Sequence, residues 1–430
     1  MRETASIGNW PLVTIEDVAL DVTVGHVGPM ADQYLEAGVP FLRSLSVEPF
    51  GIKTEGLKFI SPEFHRKLKK SALVPGDVVI VRTGKPGTCA VIPDWLATVN
   101  CSDLVIVRCG PRVRPHFLCY IVNSIAGHHI DSHTVGAVQQ HFNVGSARTL
   151  SFFLPPIEEQ DRILMLLRGL DSKIELNRRM NATLEAMARA LFRDWFVDFG
   201  PTRAKMAGTA PYLSDNLWSL FPDRLNADER PEGWEERPLD EIADFLNGLA
   251  LQKFPGENEA NNLPVIKIAE LRNGISANSN RASRKLPTQY VIQDGDFLFS
   301  WSGSLLAKFW TGGEGALNQH LFKVTSGRYP AWFFSEWVQH HLEDFQIIAA
   351  SKATTMGHIQ RGHLKAAKTV CPPTHVIERM GGMMAPLIDR IIHNELESRT
   401  LAQTRDLLLP RLMSGELRVA EAEQMAEAAQ

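Results

Sequence analysis

The tetrapeptide Arg82-Thr83-Gly84-Lys85 gathers a guanidinium, a hydroxyl and an ammonium around one glycine. Such a set can hydrogen-bond phosphate oxygens, and the glycine lets the backbone come close to them. Trp301-Ser302-Gly303-Ser304 repeats the arrangement with less charge, and Ser302 and Ser304 are its candidate contacts. A second type of segment is Gln139-Gln140-His141, matched later by His358, Gln360 and Arg361. Glutamine pairs bidentately with adenine and arginine with guanine at base edges. The alternative is that these segments only cover the edge of a sheet. Lys352 and Thr354, just upstream, are weaker candidates of the same kind. Arg66, Lys67, Lys69 and Lys70 form a basic cluster suited to phosphate contact, or to nothing more than a solvated face.

Catalytic signatures are missing. There is no G-x-x-x-x-G-K-[ST] phosphate loop and no H-E-x-x-H, since His340-His341 lacks that spacing. The two Pro-Pro pairs follow Leu154 and Cys371, not the Asp or Asn of an adenine methyltransferase motif. Asp198-Phe199-Gly200 spells a kinase triplet without its companion loops, and is read as a helix exit. A nuclease site built from scattered carboxylates stays open as an alternative. The five cysteines have no CxxC spacing, which argues for reduced, mostly buried thiols rather than disulfides or zinc. A net charge of −4 counts against an autonomous DNA binder, so partners are expected to supply some of the phosphate-neutralising charge. No apolar run reaches the roughly 20 residues that span a bilayer. The first residues lack the apolar core of a secretory signal, so no membrane partner and a cytoplasmic location are expected.

The elements that must carry these groups come twice. At a constant offset of 217 residues Pro155-Pro156 falls on Pro372-Pro373, Ile174 on Ile391, Asn177 on Asn394, Leu184 on Leu401 and Leu191 on Leu408. So long a period marks a duplicated domain rather than a solenoid. Each half opens alike, at Trp10-Pro11-Leu12 and at Gly233-Trp234. Each contains a Gly-Asp turn leading into a strand that closes on a small loop, within Pro75–Gly84 and within Gln293–Gly303. The expected organisation is a strand-rich module over 1–154, a long helix over 155–199 and a linker over 200–232. A second module over 233–371, a second helix over 372–414 and a tail over 415–430, ending as a frayed helix, follow. The predicted class is α+β.

Each Pro-Pro suits a helix start. Seam positions then step by four and three: Ile163, Leu167, Leu170, Ile174, Asn177, Asn181, Leu184, Ala188, Leu191 and Trp195 in the first helix. In the second they are Met380, Met384, Leu387, Ile391, Asn394, Ser398, Leu401, then Leu408 and Leu412. Pro386 and Arg405 interrupt the second series, and Pro386 predicts a kink or a restart. About 40 residues at about 1.5 Å each make a rod of about 60 Å. Its seam must be buried, and the other helix is its nearest complement. The repeat suggests a pseudo-twofold and hence an antiparallel coiled coil, with one module toward each end. Asn177 and Asn394 fall near the midpoint, where polar residues would fix the register.

Module, then Phe153-Leu154-Pro155-Pro156-Ile157-Glu158-Glu159-Gln160, then a helix with Ile174-Glu175-Leu176-Asn177, all repeated, resembles the specificity subunit of type I restriction-modification systems. The stretches Ala190–Phe199 and Leu408–Leu417 are similar to that family too. Thr374-His375-Val376-Ile377-Glu378 departs from its usual second helix start. The resemblance implies two target-recognition domains that read a split site in double-stranded DNA, with the Arg82 loop near the duplex. It implies docking of two methyltransferase subunits and assembly with motor-nuclease subunits. S-adenosylmethionine, ATP and magnesium would belong to those partners, with no cofactor and no catalysis in this chain. The competing readings are a type II restriction-modification component with its own nuclease, and a structural adaptor without a DNA role.

Overall fold

The computed structural model describes residues 10–132, 142–257, 261–351 and 357–427. They form two compact units, residues 1–173 with 400–430, and residues 174–399. The division falls inside the two long helices, so each unit holds one module and a portion of both.

In the first unit a four-stranded sheet runs in the order Ala19–Val24, Leu104–Cys109, Val78–Val81, Cys89–Val91, all antiparallel. Val78, Val79, Ile80 and Val81 are all buried, which is why this strand reads as a continuous apolar run rather than an alternation. A second sheet has the order Lys58–Ile60, Val39–Leu42, Val99–Cys101, Ala72–Leu73, with its central pair parallel. A two-stranded ribbon joins Leu12–Thr14 to Ser151–Phe153 and closes the module on itself. Helix α1 (Pro115–Ser132) buries Phe117, Leu118, Ile121 and Val122.

The second unit repeats this plan strand for strand. Its first sheet is Asp244–Asn247, Leu321–Thr325, Phe297–Ser300, Ala307–Phe309. Its second is Arg281–Ser283, Asn262–Ile266, Gly315–Leu317, Val291–Ile292, again with a parallel central pair. The closing ribbon is Glu235–Pro238 with Lys368–Cys371. Small contacts recur as well. Ile15 N–H donates to Leu150 O at 3.0 Å, and Leu239 N–H to Ala367 O at 2.9 Å.

The first long helix, α2, spans Ile157–Phe192 and ends in a π-type turn over Arg193–Val197. Helix α3 (Ala331–Ser351) backs the second module, and α4, the second long helix, runs unbroken over Thr374–Met413. Within the second unit α2 and α4 pair antiparallel. The Asn177 amide donates to Asn394 O at 3.3 Å, while Asn181, further along α2, reaches Ile391 O, earlier on α4, at 3.1 Å. The two midpoint amides do not bond each other side chain to side chain. Asn394 Nδ2 donates instead to Asn181 Oδ1 at 2.8 Å. All three asparagines are buried.

The seam residues Ile163, Leu167, Leu170, Ile174, Met384, Ile391, Leu401 and Leu408 are buried. Leu184, Leu191 and Leu387 are only half-buried; the seam's Ala188 is buried, and Phe192 and Ile388, one position on from Leu191 and Leu387, are buried in their stead. A straight helix drifts against a strict seven-residue repeat, which moves the buried face by one position at the ends. The helix does not restart at Pro386, because residue and site are exposed and Gly382, one turn before, is exposed too. Water can therefore take the carbonyl left without a donor, and no side chain crowds the ring. Arg405 leaves the apolar series to meet Asp171 at 2.6 Å, with Tyr120 on the same carboxylate and the Phe50 ring 5.4 Å away. Burial works against the Arg405 charge, but the Asp171 and Asp406 hydrogen bonds outweigh it and raise its pKa.

The segment 200–232, expected as a linker, is folded. It holds helical turns at Gly200–Met206 and Asp215–Trp218, and its Phe221 packs with Trp195 and Trp234 in an aromatic cluster. The tail, expected to be helical but frayed, is a helix over Val419–Glu427 that buries Val419, Ala422 and Ala426. All five cysteines are free thiols, four of them buried. No helix among the described residues is long and apolar enough to cross a membrane.

Candidate nucleic-acid interface

Each module's central strand runs out into a loop at the edge of its first sheet. Val78–Val81 leads to Arg82, and Phe297–Ser300 leads to Trp301. The loops turn on glycines in the left-handed region, Gly84 at φ 87° and Gly303 at φ 65°, where a β-carbon would be strained. A backbone hydrogen bond then ties each loop to the segment that follows the module's helix. Phe142 N–H donates to Arg82 O at 3.1 Å, and Ile359 N–H to Trp301 O at 2.9 Å. In the second module Gly303 N–H also donates to Gly357 O at 2.8 Å, and Ser302 and His358 form a bridge. The two kinds of segment singled out from sequence are thus one surface there. Gln139, Gln140 and His141 lie outside the described residues, as do Lys352 and Thr354.

The chemistry of the two loops differs at equivalent places. Arg82 makes an ion pair with Asp103, and Thr83 Oγ1 donates to the same carboxylate at 3.5 Å. Asp103 has φ 51°, held in the left-handed region at the mouth of strand Leu104–Cys109. The residue 217 further on is His320, and its Nδ1 lies 2.9 Å from Ser302 Oγ. Trp301 occupies the place of Arg82. Its Nε1 donates to Asn247 Oδ1 at 2.9 Å and to Gln319 O at 3.1 Å, and its ring meets those of His320 and His358. One loop therefore offers a guanidinium–carboxylate pair and the other an indole between two imidazoles. A carboxylate accepts from the cytosine or adenine amino group, and a guanidinium donates to guanine.

The other sequence candidates sort by exposure. Lys85 and Ser304 are exposed, whereas Ser302 is 3% exposed and serves the loop's own structure. Gln360 is exposed, and its backbone N–H donates to His363 Nδ1 at 2.9 Å at the start of helix Arg361–Ala366. Arg361 is exposed, with Nη2 donating to Phe245 O at 3.3 Å. Arg66, Lys67, Lys69 and Lys70 are exposed on the helix Pro62–Lys67 and the turn after it. Lys67 pairs with Glu63 at 3.0 Å and holds that carboxyl below its usual value. This cluster is anchored to the second sheet, through His65 and Asn100 at 3.2 Å, and no described contact joins it to the Arg82 loop.

Four participants were not picked from sequence: Asp103, Asn247, Gln319 and His320. For Asp103 and His320 a signal was present in the repeat, since they occupy one position just before the matched runs Leu104–Val107 and Leu321–Val324.

Residues 231–399 match the family model described as the type I restriction modification DNA specificity domain. Over most of its length the chain is similar to specificity subunits of that family. It is 27% identical over 429 residues to the type I restriction enzyme MjaIX specificity subunit of Methanocaldococcus jannaschii, covering 96% of this chain and 94% of that one. It is 24% identical to the HindI specificity subunit of Haemophilus influenzae, over 63% of this chain and 70% of the relative. A crystal structure of a type I system S subunit from M. genitalium has the same fold, with a TM-score of 0.54 at 13% identity, over 96% of this chain and 98% of that one. The family model covers the second module and most of α4. The first module repeats the sheet plan of the matched one.

Proposed function

We propose that this specificity subunit reads a bipartite site in double-stranded DNA, one half with each module. It docks two adenine methyltransferase subunits and, through the assembly, motor-nuclease subunits. The observation that carries the reading is one sheet plan used twice with different polar groups at the same loop position: Arg82 with Asp103 in one module, Trp301 and Ser302 with His320 in the other. A duplicated scaffold with divergent tips suits two unlike half-sites, as paired modules in dimeric readers suit like ones. The chain itself performs no chemistry in this reading. S-adenosylmethionine would be bound by the methyltransferase subunits, and ATP and magnesium by the motor-nuclease subunits.

The test is co-expression with the methyltransferase subunit, followed by mapping of methylated adenines. The expected result is modification within a split, asymmetric sequence that disappears when this chain is omitted. DNA cleavage or methylation by the purified chain alone would instead point to a self-sufficient enzyme.

A further inference from the structure

Glu336 stands on α3 with 7% of its surface exposed, yet no hydrogen bond or ion pair holds its carboxylate among the described residues. An ionised carboxyl so placed is costly unless something pairs with it. It lines a cavity of about 270 Å³ between α3, α2, α4 and the strand Ala307–Phe309. Phe297 and Ile391 contribute to an apolar wall. The other charged groups around the cavity are Glu185, Arg189, Lys308 and Glu395. These already answer one another. Arg189 lies 3.9 Å from Glu185, and Lys308 lies 3.6 Å from Glu395, which also accepts from Thr311 Oγ1 at 2.6 Å. Glu336 is the carboxylate left over. A metal ion would want several hard oxygen ligands, and no group of three metal-ligating side chains occurs among the described residues. A cation carrying its own apolar stem matches both the wall and the surplus charge.

We infer that this cavity is a binding site for an organic cation, an ammonium or guanidinium head on a short apolar stem, with Glu336 as its counter-ion. The cation arrives either as a free amine or as a lysine or arginine side chain of a docked subunit. Burial raises the Glu336 carboxyl to about 7, with Arg189 opposing the rise and Glu185 adding to it. The cation needs the ionised form. Binding is therefore expected to tighten as pH rises through that value, and to expel a proton below it.

Calorimetry of the full chain with agmatine and with putrescine tests this. Between about pH 6 and about pH 8 the ionised fraction of a carboxyl titrating near 7 rises about tenfold, and the affinity should follow. Glu336→Gln, nearly isosteric, should abolish binding at both values. Arg189→Ala, at a mostly exposed position, should tighten it by removing a competing cation. A complex with the methyltransferase subunit that no longer takes up agmatine would identify a partner side chain as the natural occupant. Unchanged uptake would identify a free amine. No binding of either probe at about 10 mM, well beyond a millimolar Kd, would overturn the inference. So would equal affinity at the two pH values, or binding that survives Glu336→Gln. None of these readouts involves DNA, so failure of DNA recognition would leave them interpretable.

Discussion

Arg82 and the Lys69–Lys70 pair are both basic, but their surroundings suit them to different contacts. The Arg82 side chain is 21% exposed and oriented by Asp103, whose charge offsets its own. An oriented guanidinium of low net charge suits a directional contact with a base edge better than long-range attraction to phosphate. Lys69 and Lys70 are exposed, flexible point charges, and suit phosphate. In the assembled complex Arg82→Ala should cost about 1–3 kcal/mol and relax discrimination in the first half-site only. Lys69→Glu with Lys70→Glu should weaken all sequences alike and flatten the salt dependence. Titration of duplexes altered in one half-site, at several salt concentrations, separates the two. Equal losses on every duplex for Arg82→Ala would reduce it to another phosphate contact. Asp103 escaped notice because its partner is 21 residues away in the chain, and no periodicity links a turn residue to a loop on the neighbouring strand.

At the scale of elements, the helical seam was the most legible feature, since a repeat of three and four needs only local sequence to be seen. Its register across the pair was not. Asn177 and Asn394 share a repeat position, yet the side-chain bond joins Asn394 to Asn181, one turn further along α2. Strand order was equally hidden. The parallel pairing of Val39–Leu42 with Val99–Cys101 joins segments about 60 residues apart, by contacts that leave no local pattern. The asparagine bond makes an energetic prediction. Asn181→Leu strands the Asn394 amide N–H in a buried place, which should cost about 1–3 kcal/mol. Asn394→Leu strands Asn181 Oδ1 in the same way. The double substitution leaves neither orphan and should recover much of the loss, a positive coupling of about 1 kcal/mol or more. Thermal unfolding of the four chains measures it, and strictly additive losses would mean that the bond contributes nothing of its own.

For the whole molecule, duplication is the organising fact. Each module buries its own core, with Val79, Ala90 and Val99 among the buried residues of the first and Ile266, Leu298 and Leu317 among those of the second. Each is also closed by its own ribbon, which brings the start and the end of the module together on adjacent strands. A unit closed in this way can be exchanged with few contacts broken, since both chain ends leave from one place. Replacing residues 1–154 by the equivalent module of another family member should therefore preserve folding and partner assembly. It should change one half of the methylated sequence and leave the other half as it was. Among the described residues each candidate loop is held by groups of its own module, Arg82 with Asp103 and Ser302 with His320. A change in both halves after the exchange would mean that recognition is shared through the helices or through the DNA's own deformation rather than resident in the separate loops.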